Sequence, residues 1–308
     1  MRAAALALVP LTLTLSAPRS SHSGHSSQAP QPVFKASAAE LVRVDVSVTR
    51  DGQPVKGLSA ADFTVTDNGV AQQITGTLVE QAPLSVMLVL DVSGSVAGDR
   101  LTHLIDAGHG LMSQLLPDDR AALITFAQDV ALDVPLTRDR EQMAVALANL
   151  HGQGMTALHD AVEVALRLTP EDDSRPVLLV FSDGRDTASW LTEERVFEAA
   201  RRAGVVLHAV VIRQEAAGPM PKELSGLLPT EQKGFLDRLA DTCGGRTWSA
   251  ATSRDLGRLF ARALDEMRAR YLLTFTPSRH AAGWHQLKVT LKGSRGDLVA
   301  RPGYFVSE

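Results

Sequence analysis

Five of the oxygen-bearing side chains in three short polar stretches of the sequence could together bind a cation. The stretches are "DVSGS" after an apolar run, "HGQGMTALHDA" before a helical pattern, and "SDGRD" after another apolar run. The side chains are Asp91, Ser93, Ser95, Thr156 and Asp183. Hydroxyl and carboxylate oxygens are the ligands that hard divalent cations prefer, so the pattern predicts a site for Mg²⁺, with Mn²⁺ or Ca²⁺ as alternatives.

The composition of this set also predicts how such a site would work. The chain has one cysteine, Cys243, and no clustered histidines among these stretches, which disfavours zinc and copper. With only two carboxylates, Asp91 and Asp183, the ion would stay electrophilic and keep a position open. A carboxylate from another molecule can fill that position. We therefore expect a recognition site that requires no reaction.

The elements that position these residues are predicted between Pro83 and about Met267. Short, nearly continuous apolar runs alternate there with helical patterns, as expected for an α/β domain with a doubly wound, mostly parallel sheet. In such a sheet ligands bind beyond the carboxyl ends of the strands, where the polar stretches fall. "VALDVPL" is predicted to be an antiparallel edge strand. The candidate strands are "LSVMLVL", "RAALITFA", "RPVLLVFS", "GVVLHAVVI" and "GRTWSA".

Each polar stretch also has a simple structural explanation. Ser95 or Thr156 could cap a helix, and Asp183-Gly184 could form a plain turn. The occurrence of all three stretches, in order, at strand or helix ends of one domain favours metal binding.

These residues carry a resemblance to a known family. The D-x-S-x-S pattern, the later threonine and the later aspartate resemble the metal-ion-dependent adhesion site (MIDAS) of von Willebrand factor type A (VWA) domains, and all five positions match. The resemblance implies that Ser93, Ser95 and Thr156 coordinate a metal through their hydroxyls, while Asp91 and Asp183 often act through water. It also implies a Rossmann-like fold over Pro83 to Met267 and a protein partner that supplies an acidic side chain.

The flanking segments are β-like. Valines alternate with polar residues in "LVRVDVSVTR", and a hairpin is predicted around Asp67-Asn68-Gly69. "RYLLTFTPS", "HQLKVTLKG" and "DLVARPGYFV" are β-like runs near the other end. We expect the two flanks to combine into one small β-sandwich into which the α/β domain is inserted, with two separate β appendages as the alternative. The flanks are similar to those of bacterial exported "VWFA-related" proteins of the acidobacterial type.

The first residues predict export. Met1-Arg2 and the apolar "AAALALVPLTLTL" are typical of a signal peptide, and the apolar core is too short to span a membrane; an uncleaved anchor is the alternative. We predict a periplasmic or secreted protein with no transmembrane segment after cleavage. The predicted divisions are 1–17 signal peptide, 18–40 flexible linker, 41–82 N-terminal part of the β-sandwich, 83–268 VWA domain and 269–308 C-terminal part of the β-sandwich.

Composition restricts the class of partner. The formal net charge is −4 and aromatic residues make up 5% of the chain, so neither a basic face nor a base-stacking surface for nucleic acid is expected. Cys243 precedes a Gly-Gly stop and is predicted to be a buried thiol. The sequence makes no prediction of the oligomeric state.

Three classes of function follow. The first is a metal-dependent protein-binding (adhesion) module, and the second is a structural component of an envelope assembly whose metal stabilises the fold. The third is a metal-dependent hydrolase, since His159, Asp160 and Asp186 lie near the predicted site. No nucleophile elbow or P-loop is present, and His159 and Asp160 suit the first turn of a helix, so we expect a protein that is not an enzyme.

Overall fold

The computed structural model describes residues 41–79, 82–212, 233–279, 281–293 and 296–306. The predicted signal peptide and linker lie outside the described residues. Within these ranges no helix is long and apolar enough to cross a membrane.

The described residues form strands at both ends and alternating strands and helices between them. The strands are β1 Val42–Arg50, β2 Gln53–Pro54, β3 Phe63–Asp67, β4 Val70–Gln72, β5 Ile74–Val79, β6 Leu84–Asp91, β7 Arg120–Phe126, β8 Val130–Thr137, β9 Arg175–Ser182, β10 Val206–Ile212, β11 Thr247–Ala250, β12 Tyr271–Phe275, β13 Gly283–Leu291, β14 Asp297–Ala300 and β15 Gly303–Val306. The α-helices are α1 Asp99–Gln114, α2 Arg140–Ala148, α3 Leu158–Arg167, α4 Glu193–Arg202, α5 Phe235–Thr242 and α6 Leu256–Arg268.

The central sheet has the order β11-β10-β9-β6-β7-β8. Its first five strands run parallel, and β8 pairs antiparallel with β7, as predicted for "VALDVPL". Every residue of β6 is buried, because the sheet is covered on both faces. Leu88 and Leu90 face a core that includes α1 and α6, whereas Met87 and Val89 face one that includes α3 and α5. The α/β prediction is confirmed.

The flanking strands form two antiparallel sheets, and each sheet contains strands from both ends of the chain. One has the order β14-β1-β12-β5, with β2 paired to β1, and the other has the order β15-β13-β3-β4. Side chains of both sheets, among them Val44, Phe63 and Leu273, share one apolar core. The run "DLVARPGYFV" forms two strands in different sheets, since the chain leaves β14 before Pro302 and enters the other sheet at β15.

The predicted hairpin is confirmed. β3 and β4 pair antiparallel up to Asp67 and Val70, and the two residues between them, Asn68 and Gly69, have φ angles of 47° and 81°. Positive φ at both central positions is the geometry of a type I′ turn, one of the common two-residue hairpin connections.

A buried histidine joins three strands of the second flanking sheet. His285 Nδ1 lies 2.9 and 3.0 Å from the two carboxylate oxygens of Asp67, and its Nε2 lies 2.7 Å from the Ala281 carbonyl oxygen. The Tyr304 hydroxyl donates to the same carboxylate at 2.9 Å. Burial alone would lower the pKa of His285, but the Ala281 carbonyl and the Asp67 carboxylate raise it above its ordinary value. The charged imidazolium is therefore favoured in the folded protein.

An ion pair connects the first flanking strand to the central sheet. Arg175 Nη2 at the start of β9 lies 2.6 Å from Asp45 Oδ1 of β1. The fully buried Arg270 donates to the Gly244 carbonyl oxygen at 2.7 Å, and its Nε lies 4.0 Å from the same Asp45 oxygen. Asp45 is thus the carboxylate that two buried guanidinium groups share.

Candidate functional site

The site begins at the carboxyl ends of two adjacent parallel strands. Asp91 ends β6 and is fully buried, and Ser182 ends β9 beside it. The Ser182 hydroxyl donates to Asp91 Oδ2 at 2.8 Å, and the Ser93 backbone N–H donates to Asp91 Oδ1 at 2.9 Å. Both carboxylate oxygens of Asp91 are therefore fixed by hydrogen bonds within the protein.

The two serines of the first loop lie side by side. Ser93 Oγ and Ser95 Oγ are 3.1 Å apart; Ser93 is buried and Ser95 is exposed. Ser95 does not cap helix α1, whose N-cap residue is Gly98. The helix-cap explanation therefore does not account for Ser95.

The second loop is held against the first by its backbone. Gly94 N–H donates to the Gly154 carbonyl oxygen at 3.0 Å, and Gln153 N–H donates to the Val92 carbonyl oxygen at 2.9 Å. Gly154 has a φ of 82°, a conformation that favours glycine. The loop ends at the buried Thr156, next to Ala157, which is the N-cap residue of α3. Thr156 is therefore not the helix cap either.

The two carboxylate oxygens of Asp183 have different surroundings. Its Oδ1 accepts a hydrogen bond from Arg185 N–H at 3.1 Å, which is the turn that the sequence suggested. Its Oδ2 is buried and has no hydrogen-bond partner among the described residues. An ionised carboxylate oxygen in that position is costly unless a cation or another donor binds it.

Burial and a neighbouring carboxylate disfavour the charged form of Asp91. Burial raises the pKa of Asp91 above its ordinary value, and the nearby Asp183 carboxylate raises it further, whereas hydrogen bonds from Ser93 and Ser182 lower it in part. Two carboxylates and neighbouring hydroxyls form a donor set that suits a hard divalent cation. Ser95 is exposed and Asp183 is half-buried, so the set opens to solvent.

Two residues that the sequence analysis did not single out organise the site. Ser182 orients Asp91, and its own oxygen accepts from Gly184 N–H at 3.1 Å. Thr187 Oγ1 accepts from Thr156 N–H at 2.9 Å, and the Thr156 carbonyl oxygen accepts from Thr187 N–H at 2.8 Å. The sequence gives only a weak indication of this role for Ser182, which is a small polar residue directly before Asp183 at the end of an apolar run.

Of the residues considered for hydrolysis, His159 and Asp160 lie in the first turn of α3 and contact the loop after Asp183, and Asp186 lies in that loop. Asp160 accepts from the backbone N–H groups of Trp190 and Leu191, both at 3.0 Å. Asp186 Oδ1 accepts from the His159 backbone N–H at 3.3 Å and from Ser189 Oγ at 2.5 Å. These contacts hold the shape of the loop. Among the described residues, no group of three or more His, Cys, Asp or Glu side chains is placed to hold a metal.

Comparison with known proteins identifies the central domain. Residues 86–185, a range that includes all five candidate ligands, match the family model of the von Willebrand factor type A domain. The uncharacterized protein sll0103 of Synechocystis sp. is 28% identical over 108 residues, which cover 34% of this chain and 26% of that protein. The chain therefore spans about a quarter of the length of this relative.

Solved structures show similarity of fold. A von Willebrand factor type A protein from Catenulispora acidiphila has a TM-score of 0.50 at 12% identity, covering 88% of this chain and 74% of that one. An aerotolerance-related membrane protein from Bacteroides fragilis has a TM-score of 0.46 at 19% identity, covering 59% of this chain and 99% of that one. The likeness to the Catenulispora acidiphila structure is one of fold, and the match to the von Willebrand factor type A domain model extends over residues 86–185.

Proposed function

We propose that the protein is an exported interaction module that binds a partner protein through a divalent metal. The metal is held by Asp91, Ser93, Ser95, Thr156 and Asp183, and Mg²⁺ is preferred. VWA domains commonly act in protein interaction and often bind a divalent metal, which supports this class of function.

The observation that carries the proposal is the buried Oδ2 of Asp183, which lacks a hydrogen-bond partner among the described residues. The Asp91 carboxylate lies near Asp183 and is itself buried, so the negative charge at this edge of the sheet is poorly compensated. A cation bound here would satisfy the free oxygen and offset the repulsion.

The bound ion would supply an electrophilic position that a carboxylate of the partner can occupy. Ser93 and Ser95 would offer adjacent neutral hydroxyls, and Thr156 would offer a third hydroxyl from the opposite loop. Ser182 would orient Asp91 without contacting the partner. Exposure of Ser95 would allow the partner to approach from solvent.

We further propose the division of the chain given above, with residues 83–268 as the interaction domain and residues 41–82 and 269–308 as one β unit that supports it. The ion pair between Asp45 and Arg175 supports a fixed junction between these parts. Export to the periplasm or the medium belongs to the same proposal and rests on the first 17 residues of the sequence.

The test uses a display library of random linear peptides, panned on the protein in Mg²⁺ and eluted with EDTA. We expect the recovered peptides to share an aspartate or glutamate, and to lose binding to an Asp91→Ala variant. Thermal unfolding with and without Mg²⁺ tests the structural alternative. A large fall in the melting temperature without Mg²⁺, with no metal-dependent peptides recovered, would favour a stabilising metal over a binding site.

A further inference from the structure

One aromatic side chain near the candidate site lies almost entirely in solvent. Trp190 is 95% exposed, the largest exposed fraction among the large hydrophobic residues of the described part of the chain. Tryptophan is large and is usually well buried, and it is enriched among the residues that contribute most of the binding energy in protein interfaces. Met155, directly before the candidate ligand Thr156, is 51% exposed.

The loop that carries Trp190 is fixed by hydrogen bonds on both sides. The two oxygens of Asp160 accept from the backbone N–H groups of Trp190 and Leu191, each at 3.0 Å. The Ser189 hydroxyl donates to Asp186 at 2.5 Å and accepts from Asp160 N–H at 3.2 Å. The backbone that presents the indole is therefore held in place before any partner binds, which reduces the entropy lost on binding.

The same loop is joined directly to the candidate metal ligands. It begins at Asp183, and Ala188 N–H donates to the Thr156 carbonyl oxygen at 3.0 Å. Trp190 is two residues farther on, and two residues span at most about 7 Å. The Trp190 backbone is thus within roughly 10 Å of Thr156.

We infer that Trp190 is the apolar anchor of the partner-binding surface beside the metal site, with Met155 on the same rim. The inference rests on the proposed metal-bridged function and specifies the partner: a protein segment that carries a carboxylate for the metal and a large apolar side chain for Trp190. The carboxylate supplies metal dependence, and the apolar contact distinguishes this partner from other acidic proteins.

The experiment uses synthetic versions of the peptides recovered from the display library. Their dissociation constants are measured in Mg²⁺ for the wild type, Trp190→Ala and the matched control Trp284→Ala, which removes a partly exposed tryptophan of β13 in the flanking sheets. We expect the peptides to share an acidic and a large apolar residue. Binding should weaken by about 10- to 100-fold in Trp190→Ala and change by less than about twofold in Trp284→Ala.

A second readout separates this inference from the proposed function. Calorimetric Mg²⁺ titration of Trp190→Ala should give the wild-type affinity within about twofold, because the indole contacts no candidate ligand. If Mg²⁺-dependent peptides bind Trp190→Ala as tightly as the wild type, the anchor is wrong while the metal-binding function stands. If no Mg²⁺-dependent peptide is recovered, both fail.

Discussion

Replacing Ser182 with alanine should weaken metal binding although Ser182 is not one of the five candidate ligands. Its hydroxyl donates to Asp91 Oδ2 at 2.8 Å and accepts from Gly184 N–H at 3.1 Å, and the residue is fully buried. The substitution removes one hydrogen bond to a carboxylate and leaves the Gly184 N–H without this acceptor.

The expected size follows from those two contacts. A hydrogen bond to a charged group contributes about 1.5–3 kcal/mol to stability, so Ser182→Ala should lower the free energy of unfolding by about 2 kcal/mol. Loss of a residue that orients a metal ligand typically reduces metal affinity by about 10- to 100-fold. We expect both effects, because Asp91 would lose the contact that fixes one of its two oxygens.

The assay is calorimetric titration of the EDTA-treated variant with Mg²⁺, together with urea unfolding. Ser85→Ala is the matched control, since Ser85 is an equally buried serine at the other end of β6, about 20 Å from Asp91. Its hydroxyl lies 2.8 Å from Ser174 Oγ. Ser85→Ala should lose stability and keep its Mg²⁺ affinity. Equal Mg²⁺ affinity in Ser182→Ala and the wild type would refute the assigned role of Ser182.

Two further predictions concern the flanking sheets. The raised pKa of His285 means that its ion pair with Asp67 stabilises the fold fully below about pH 6.5, the unfolded value, and that this contribution is lost as the pH rises through the folded value. The free energy of unfolding, measured by urea denaturation, should therefore fall with rising pH more steeply in the wild type than in His285→Gln. Asp45→Ala should lower the same free energy by about 3 kcal/mol, because it leaves the buried guanidinium of Arg175 without its carboxylate.

Each of these two predictions has a clear contrary result. Identical pH profiles for the wild type and His285→Gln would show that the histidine is not charged in the fold. For the second, the control is Asp172→Ala, which removes the carboxylate of an exposed pair with Arg120 and should lower the free energy of unfolding much less. If Asp45→Ala were no more destabilising than this surface control, the buried ion pair would not hold the junction.

The sequence was sufficient to predict the central α/β domain and the strand-end position of Asp91 and Asp183. Continuous apolar runs such as β6 are typical of strands buried on both faces, and the polar residue that ends each run is visible without a structure. The edge strand β8 and the hairpin at Asn68-Gly69 could also be predicted from the local sequence pattern.

What the sequence could not predict depends on contacts between distant residues. The local sequence around Ser182 would be the same whether its hydroxyl contacted solvent or a buried carboxylate. Asp160 could be assigned to a helix start, but its two bonds to the Trp190 and Leu191 backbone span about 30 residues of sequence and follow only from the fold. The split of β14 and β15 between two sheets is likewise a matter of long-range pairing.

Binding of a divalent metal by the five oxygen-bearing residues underlies the proposed function. The most direct measurement is calorimetric titration of the EDTA-treated protein with Mg²⁺, Mn²⁺ and Ca²⁺, beside an Asp91→Ala/Ser93→Ala double variant. We expect saturable binding of one ion per chain in the wild type and none in the variant. Equal binding in both proteins, or no binding in the wild type with or without the recovered acidic peptides, would contradict it.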